Sequence, residues 1–266
     1  MKTVIIIPAR FESIRFPGKP LVELDCGMGV KKSLIHLTWE AAKRVKYVDE
    51  IFVATDDRRI SDAVKEFGGK TVMTSKNCKN GTERCAEAVK QISVSPDIVI
   101  NFQGDAPLTP PWFIENLIES VTTDPTADMV TPVLRLDKET YHNFRTDRKN
   151  GLVGGTTVTF DSKGYALYFS KEMIPYFEME KLNRSSLIPM FHHVGIYAYR
   201  PKVLQEYMVW SEGFLESLEG LEQIRFLENN RIVKCVEVDS KGRLFWELNN
   251  PQDIGRIEKV LKRRQI

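Results

Sequence analysis

Three cations spaced along one short stretch, Arg10, Arg15 and Lys19, are the first residues in the chain whose types could do chemistry. Guanidinium forks and an ammonium suit a polyanion, and a triphosphate is the obvious candidate. They stand among Pro17, Gly18 and Pro20, directly after Val4 to Ile7, a run of β-branched apolar residues. Such a run is the pattern of a strand buried on both faces of a parallel sheet. Pro8 cannot donate to a ladder, so the chain is expected to turn there. Open α/β sheets bind ligands outside the carboxyl ends of their strands, which is where this loop would lie. On charge alone the cations could equally form a solvated surface loop; the strand end and the prolines favour phosphate binding. The stretch is neither a G-x-x-x-x-G-K-[ST] loop nor a G-x-G-x-x-G turn.

A carboxylate is the natural companion of such a loop. Asp105 follows a second apolar run, Asp97 to Phe102, and so should stand at the same sheet edge. Mg²⁺ takes oxygen ligands from one or two carboxylates plus phosphates, which makes Asp105 a candidate metal ligand. The same residue in Gly104-Asp105-Ala106-Pro107 is also good turn chemistry. Asn249 could add a second oxygen, although Asn249-Asn250-Pro251 also reads as an ordinary helix entry. His193 and Tyr197 fall on one face if His192 to Tyr199 is a strand, with Val194 and Ile196 on the other. One polar and one apolar face suggests a strand lining a cleft, and a satisfied structural histidine is the competing reading.

The elements that must position these residues follow from periodicity. Ser33 to Val45 has helical spacing, with Leu34, Leu37, Ala41 and Val45 on one stripe. Glu50 to Ala54 reads as a strand, Asp57 as a cap for a helix over Arg58 to Phe67, and Lys70 to Met73 as a third strand. This β-α-β-α-β order predicts a parallel sheet. Thr82 is a plausible N-cap for a helix from Arg84 to Gln91. Pro111 to Val121 predicts a helix entered through prolines, and Asp128 to Val133 another strand. Asp137 to Gly155 is polar and reads as a mobile loop. Thr156 to Phe160 and Ala166 to Phe169 form a hairpin about Asp161 to Gly164. Glu216 to Glu228 predicts one helix, Val233 to Val238 and Leu244 to Leu248 late strands, and Pro251 to Arg264 a closing helix. No clean boundary divides the 266 residues, so one domain is expected, regular first and irregular later.

Composition excludes several classes. Hydrophobic residues at 42% and charged residues at 28% are ordinary for a globular chain with a sizeable core. A formal net charge of +2 argues against a strongly basic nucleic-acid binder. No apolar run is long enough to span a bilayer, and the chain opens on a strand with no secretory pattern, so a cytoplasmic protein without membrane or nucleic-acid partners is expected. Cys26, Cys78, Cys85 and Cys235 form no C-x-x-C pair and have no zinc pattern about them. Reduced structural thiols are the expectation.

The stretch IIIPARFESIRFPGKPL closely resembles the signature of the 3-deoxy-manno-octulosonate cytidylyltransferase (CMP-Kdo synthetase) family. The resemblance continues through FVATDD, NGTERCAEA, NFQGDAP, GYALYFSKEMIP, HHVGIYAYR and LEGLEQIRFLENN, in order over nearly the whole chain. It implies an α/β fold with a Rossmann-like mixed, mainly parallel sheet flanked by helices, of the nucleotide-diphospho-sugar transferase type. It implies a homodimer using CTP and Mg²⁺ in lipopolysaccharide biosynthesis, with roughly residues 135–230 binding the sugar acid and the second subunit. The acid's anomeric hydroxyl would attack the α-phosphorus of CTP and release pyrophosphate. Carried onto this sequence, Arg10, Arg15 and Lys19 would hold the triphosphate. Asn80, Gly81, Thr82, Arg84 and Gln103 would line the cytidine and sugar side, and Asp105 would bind the metal. His193, Tyr197, Glu222 and Gln223 would face the acid. The chain departs from the family pattern at four points. Ala106 replaces the acid of Q-G-D-E-P, and Asn249 replaces the second metal aspartate, an oxygen ligand still. Thr157 aligns with a lysine, and Lys171 stands for an arginine and loses its bidentate fork. These changes leave open another acid (8-amino-Kdo, a sialic-acid-like sugar, a phosphonate) or a CTP-binding homologue without turnover.

Overall fold

The computed structural model describes residues 1–12, 16–152, 155–179, 187–243 and 245–263. Its centre is strand β1, Thr3–Ala9, every residue of which is buried. Alternate side chains of β1 enter opposite layers. Ile5 and Ile7 pack with Ile35, Ala41, Phe113 and Leu117, and Val4 and Ile6 with Cys85, Ala86 and Ala88. Each such side chain taken fully from water contributes about 1.5–3 kcal/mol.

A hairpin of β2 (Glu23–Gly27) and β3 (Val30–Ser33) leads into α1 (Leu34–Lys43), whose first turn is capped by the Ser33 hydroxyl. Then come β4 (Glu50–Thr55), α2 (Arg58–Glu66) and β5 (Lys70–Met73), with Asp57 capping α2 through the Arg59 N–H. Helix α3 (Gly81–Gln91), β6 (Ile98–Phe102) and α4 (Pro111–Thr123) complete the regular part. Strands β5, β4, β1 and β6 lie side by side in that order and pair in parallel. β1 runs past Pro8 to Ala9 instead of turning there. Its ladder to β6 ends at Ile6 opposite Asn101, while the ladder to β4 continues to Ala9 opposite Thr55. A missing N–H beyond the last rung to β6 costs no bond.

The later half adds β7 (Met129–Asp137), α5 (Lys138–Lys149), β8 (Thr156–Phe160), β9 (Ala166–Ser170), β10 (Leu187–His193) and β11 (Ile196–Tyr199). After α6 (Pro201–Tyr207), α7 (Phe214–Glu219) and α8 (Ile224–Glu228), β12 (Val233–Glu237) pairs in parallel with β7 and α9 (Ile254–Arg263) closes the chain. Among the described residues the strands form a ten-stranded sheet, extended from β6 through β11, β7, β10, β8 and β9 by antiparallel pairing.

Several local expectations are corrected. Residues 138–149, expected as a loop, are helix α5, capped by the Asp137 carboxylate on the Thr140 N–H at 2.7 Å. Only Tyr141 and Phe144 of that helix are buried, a stripe too thin to stand out in polar sequence. α3 begins earlier than expected, capped by Asn80 and not Thr82. The stretch from His192 to Tyr199 is two strands, broken at Val194 and Gly195, which pair on opposite sides of β7. The single helix expected over 216–228 is broken at Gly220, whose φ of 59° is a left-handed conformation that glycine adopts without strain. No strand forms over 245–248, and a 3-10 turn precedes α9.

That break in the helix is held by charge. The Arg225 guanidinium donates to both Glu216 carboxylate oxygens at 2.6 and 2.7 Å and to Glu83 at 3.2 Å, and lies 4.2 Å from the Tyr207 ring centroid. It thereby ties α7, α8 and α3 around the segment 221–223. Both Arg225 and Glu216 are nearly inaccessible, so removing one partner strands the other's charge. Glu216→Ala should therefore cost about 3–5 kcal/mol. Equilibrium denaturation checks this, and a loss under about 1 kcal/mol would show that the pair is not a keystone.

Candidate active site

The carboxyl ends of β1 and β6 open into a cleft of about 520 Å³, in the size range of small-molecule sites. One end is basic. Arg10 follows β1 directly and lines the cleft with Lys19. Lys19 opens a 3-10 turn behind Gly18, which has φ 71° and donates its N–H to the Phe11 carbonyl at 2.9 Å. The Arg59 guanidinium, forked onto Asp57, lies 3.4 Å from the Phe11 ring centroid and braces this end of the loop. Arg15, the third cation, lies outside the described residues. The Lys19 ammonium meets the Asp105 carboxylate at 2.5 Å, so the predicted basic loop and the predicted metal ligand are indeed neighbours.

The floor is built on the start of α3. The Asn80 side chain accepts from Glu83 N–H at 2.8 Å and donates to the Tyr207 hydroxyl at 3.0 Å. Gly81 permits a close approach, because a Cβ there would lie 2.5 Å from the Gln103 amide nitrogen. That amide donates to Asn101 at 3.2 Å and to Glu222 at 3.3 Å. Glu222 also accepts from the Thr82 N–H at 3.1 Å. The helix N-terminus and its N–H groups favour the carboxylate, yet burial outweighs them and raises Glu222 to about 7.

Facing this floor, His193 and Tyr197 lie on β10 and β11 rather than on one strand, with ring centroids 5.6 Å apart. His193 has a partner at each nitrogen: Thr131 at 2.9 Å from Nε2 and the Gln223 amide at 3.5 Å from Nδ1. Burial, with His192 adding to it, pushes His193 down to about 3, so it is a neutral wall and not a proton donor at neutral pH. The Tyr197 hydroxyl donates to Gln223 at 3.3 Å, which fixes that amide at both ends.

Three predicted residues stand just outside the lining. Thr82 is fully buried, with its hydroxyl 2.8 Å from that of Tyr199. Lys171 places its ammonium 2.9 Å from where a Cβ on Gly220, a lining residue, would lie. Asn249 does not line the cleft; its amide lies 3.5 Å from Glu247, and Glu247 is the one on the wall. Arg84 does line the cleft but is engaged beneath it, with Thr74 at 2.6 Å and Asp56 at 3.3 Å. Two of the four departures are structural. Ala106 is buried in the core, and Thr157 ties Glu172 O and Ile174 N through its hydroxyl.

Glu247 was missed by sequence reasoning. The Leu248 N–H bonds to the Asp105 carbonyl at 2.9 Å and brings the segment to the site from far along the chain. Burial and the neighbouring Asp105 carboxylate raise Glu247 above the ordinary carboxylate range. The only sequence signal was an acid two residues before Asn249. Among the described residues no three His, Cys, Asp or Glu side chains group as a metal cage. Two carboxylates beside a basic loop nevertheless fit Mg²⁺, which would keep waters and phosphate oxygens for its other positions.

Comparison with known proteins bears on this cleft. A family profile described as Cytidylyltransferase matches residues 4–237. The 3-deoxy-manno-octulosonate cytidylyltransferase of Maricaulis maris is 42% identical over 98% of this chain and 97% of its own length. That of Chlamydia pneumoniae is 37% identical, covering 96% and 92%. A solved structure of CMP:2-keto-3-deoxy-manno-octonic acid synthetase complexed with CTP has a TM-score of 0.83 and 32% identity, covering 99% of this chain and 100% of that one. The fold and cleft are thus those of a nucleotidyltransferase that uses a cytidine nucleotide. More narrowly, the chain belongs to the 3-deoxy-manno-octulosonate cytidylyltransferase family.

Glu222 yields a pH test. Its folded value of about 7 lies above the ordinary 4.5, so the folded state holds an extra proton between them. The associated stability is present below pH 4.5 and is lost as pH rises through about 7. Glu222→Gln, neutral throughout, should gain melting temperature relative to wild type as pH rises from about 5 to about 8. A difference independent of pH would contradict the burial of this carboxyl.

Proposed function

We propose that the protein transfers CMP from CTP to 3-deoxy-D-manno-octulosonate and releases pyrophosphate. The observation that carries this reading is the 2.5 Å contact of Lys19 with Asp105 at the basic end of one cleft whose other end is a fixed polar network. The acid's anomeric oxygen forms a bond to the α-phosphorus, the bond from that phosphorus to the β-bridging oxygen breaks, and the hydroxyl proton passes to solvent. Such a displacement needs alignment and charge neutralisation more than a protein nucleophile.

Arg10 and Lys19, with Arg15 of the same loop, hold the triphosphate. Asn80, Gly81 and Gln103 contact the nucleoside side, and Thr82 and Arg84 shape it from behind. His193, Tyr197, Glu222 and Gln223 present fixed hydrogen-bonding groups to the acid's hydroxyls, and Lys171 supplies a cation near Gly220 for its carboxylate. Asp105 holds Mg²⁺, which when bound neutralises the charge shared by the phosphates and the leaving pyrophosphate. The chain works as one nucleotidyltransferase domain, with residues 135–230 serving the acid and a second copy in a homodimer. Exposed Leu167, Phe214 and Leu218 in that part support the dimer. Free, buried cysteines support a cytoplasmic setting; among the described residues no helix is long and apolar enough to cross a membrane.

Pyrophosphate release with CTP, Mg²⁺ and a panel of acids tests the assignment, with the octulosonate expected to be turned over fastest. CTP binding without release on any acid would overturn it. Asp105→Ala should lower turnover about 100-fold or more while far-UV circular dichroism stays unchanged. Wild-type turnover in that variant would remove Asp105 from the reaction centre.

A further inference from the structure

Position 249 is where the family pattern puts a second metal-binding carboxylate, and here the residue is an asparagine whose side chain does not reach the cleft wall. Its amide faces Glu247 Oε2 at 3.5 Å. The amide presents its NH₂ to Glu247 and turns its oxygen, the ligand atom, the other way. Asn249 is thus oriented as a donor to a neighbour and not as an oxygen ligand.

Glu247 occupies the place that Asn249 leaves. It lines the cleft together with Asp105, Lys19 and Gly195. Its carboxylate is held by small, fixed groups. Oε1 lies 3.5 Å from the position a Cβ on Gly195 would take, and the Gly195 N–H donates to the carboxylate. Oε2 takes the Asn249 amide. The backbone beneath is fixed as well: Leu248 is fully buried and donates its N–H to the Asp105 carbonyl at 2.9 Å. The Asn249 and Asn250 N–H groups are held by Asp253 at 3.0 and 2.7 Å. Asp105 and Glu247 thus put two carboxyl groups beside the single ammonium of Lys19, an oxygen-rich corner in an otherwise cationic end.

We infer that Glu247 is the second carboxylate of the reaction centre, sharing the divalent cation with Asp105, and that Asn249 is a positioning residue that acts through it. The inference rests on the reaction proposed above. It also accounts for the loss of an acid at 249 without loss of the charge that a triphosphate-bound cation requires.

Mn²⁺ titration followed by electron paramagnetic resonance, with saturating CTP and no acid acceptor, tests this without turnover. Glu247→Gln, close in shape and neutral, should weaken Mn²⁺ binding about 10-fold or more, and Glu247→Asp should restore part of it. Asn249→Ala should weaken it by less than Glu247→Gln does. Metal-free CTP binding by calorimetry should not weaken in any of the three, since none removes a cation, and unchanged melting temperatures would show that folding is intact. Wild-type Mn²⁺ affinity in Glu247→Gln, or a larger loss in Asn249→Ala, would overturn the assignment while leaving the cytidylyltransferase reading in place. Failure of the wild-type protein to bind CTP would instead overturn that reading, and this inference with it.

Discussion

The contact between Lys19 and Asp105 joins residues far apart in sequence, and it exists only because β1 and β6 lie side by side. Asp105 follows β6 closely and Lys19 ends the loop that leaves β1, so the parallel register brings the basic loop to the carboxylate. The register in turn is set by burial. β1 is covered on both faces and β6 is wholly buried, and a slip of one residue would move every side chain into the opposite layer. The chemistry of the cleft is therefore positioned by the least polar part of the chain.

Charge is distributed along the cleft in an order that suits two different anions. At the basic end, cations stand on loops and reach the cleft. Toward the other end, buried Arg225 and Arg84 are already engaged by Glu216, Glu83 and Asp56, so they brace the walls rather than attract ligand. The groups left to meet a sugar there are hydrogen-bonding ones held from behind: Gln223 between His193 and Tyr197, and Gln103 between Asn101 and Glu222. Fixed amides and a neutral imidazole discriminate by the arrangement of hydroxyls, and they lose no order when the ligand arrives.

The parallel half was legible because its signals are local. The apolar run of β1 and the Asp57 cap each point to a single element. Of the cleft lining, Arg10, Lys19 and Asp105 follow strand ends and His193 and Tyr197 stand on strands, so pattern pointed to them. Asn80, Gly81, Arg84, Gln103, Glu222 and Gln223 were reached only through the family resemblance. What stayed hidden was set by distant partners. α5 shows only Tyr141 and Phe144 to the core, so its sequence reads as polar loop. The break between His193 and Ile196 is a crossing from one side of β7, next to β8, to the other, next to β6, which no pattern in HHVGIYAYR announces. Glu247 lay in a stretch with no regular structure, attached to the site by one backbone bond to Asp105.

Glu247 also shows why a motif is a poor guide to the atom that does the work. The Asn249 N–H bonds back to the Glu247 carbonyl at 3.1 Å, so the chain turns tightly about Leu248, which enters the core with Leu24, Leu34 and Leu108. The turn leaves Glu247 on the cleft wall and Asn249 outside it, with the two side chains 3.5 Å apart. The Leu248 bond to the Asp105 carbonyl holds the turn against the site. If Glu247 shares the cation as inferred, the residue at 249 changes while a second carboxylate beside Asp105 is kept, and charge is what a triphosphate-bound cation senses.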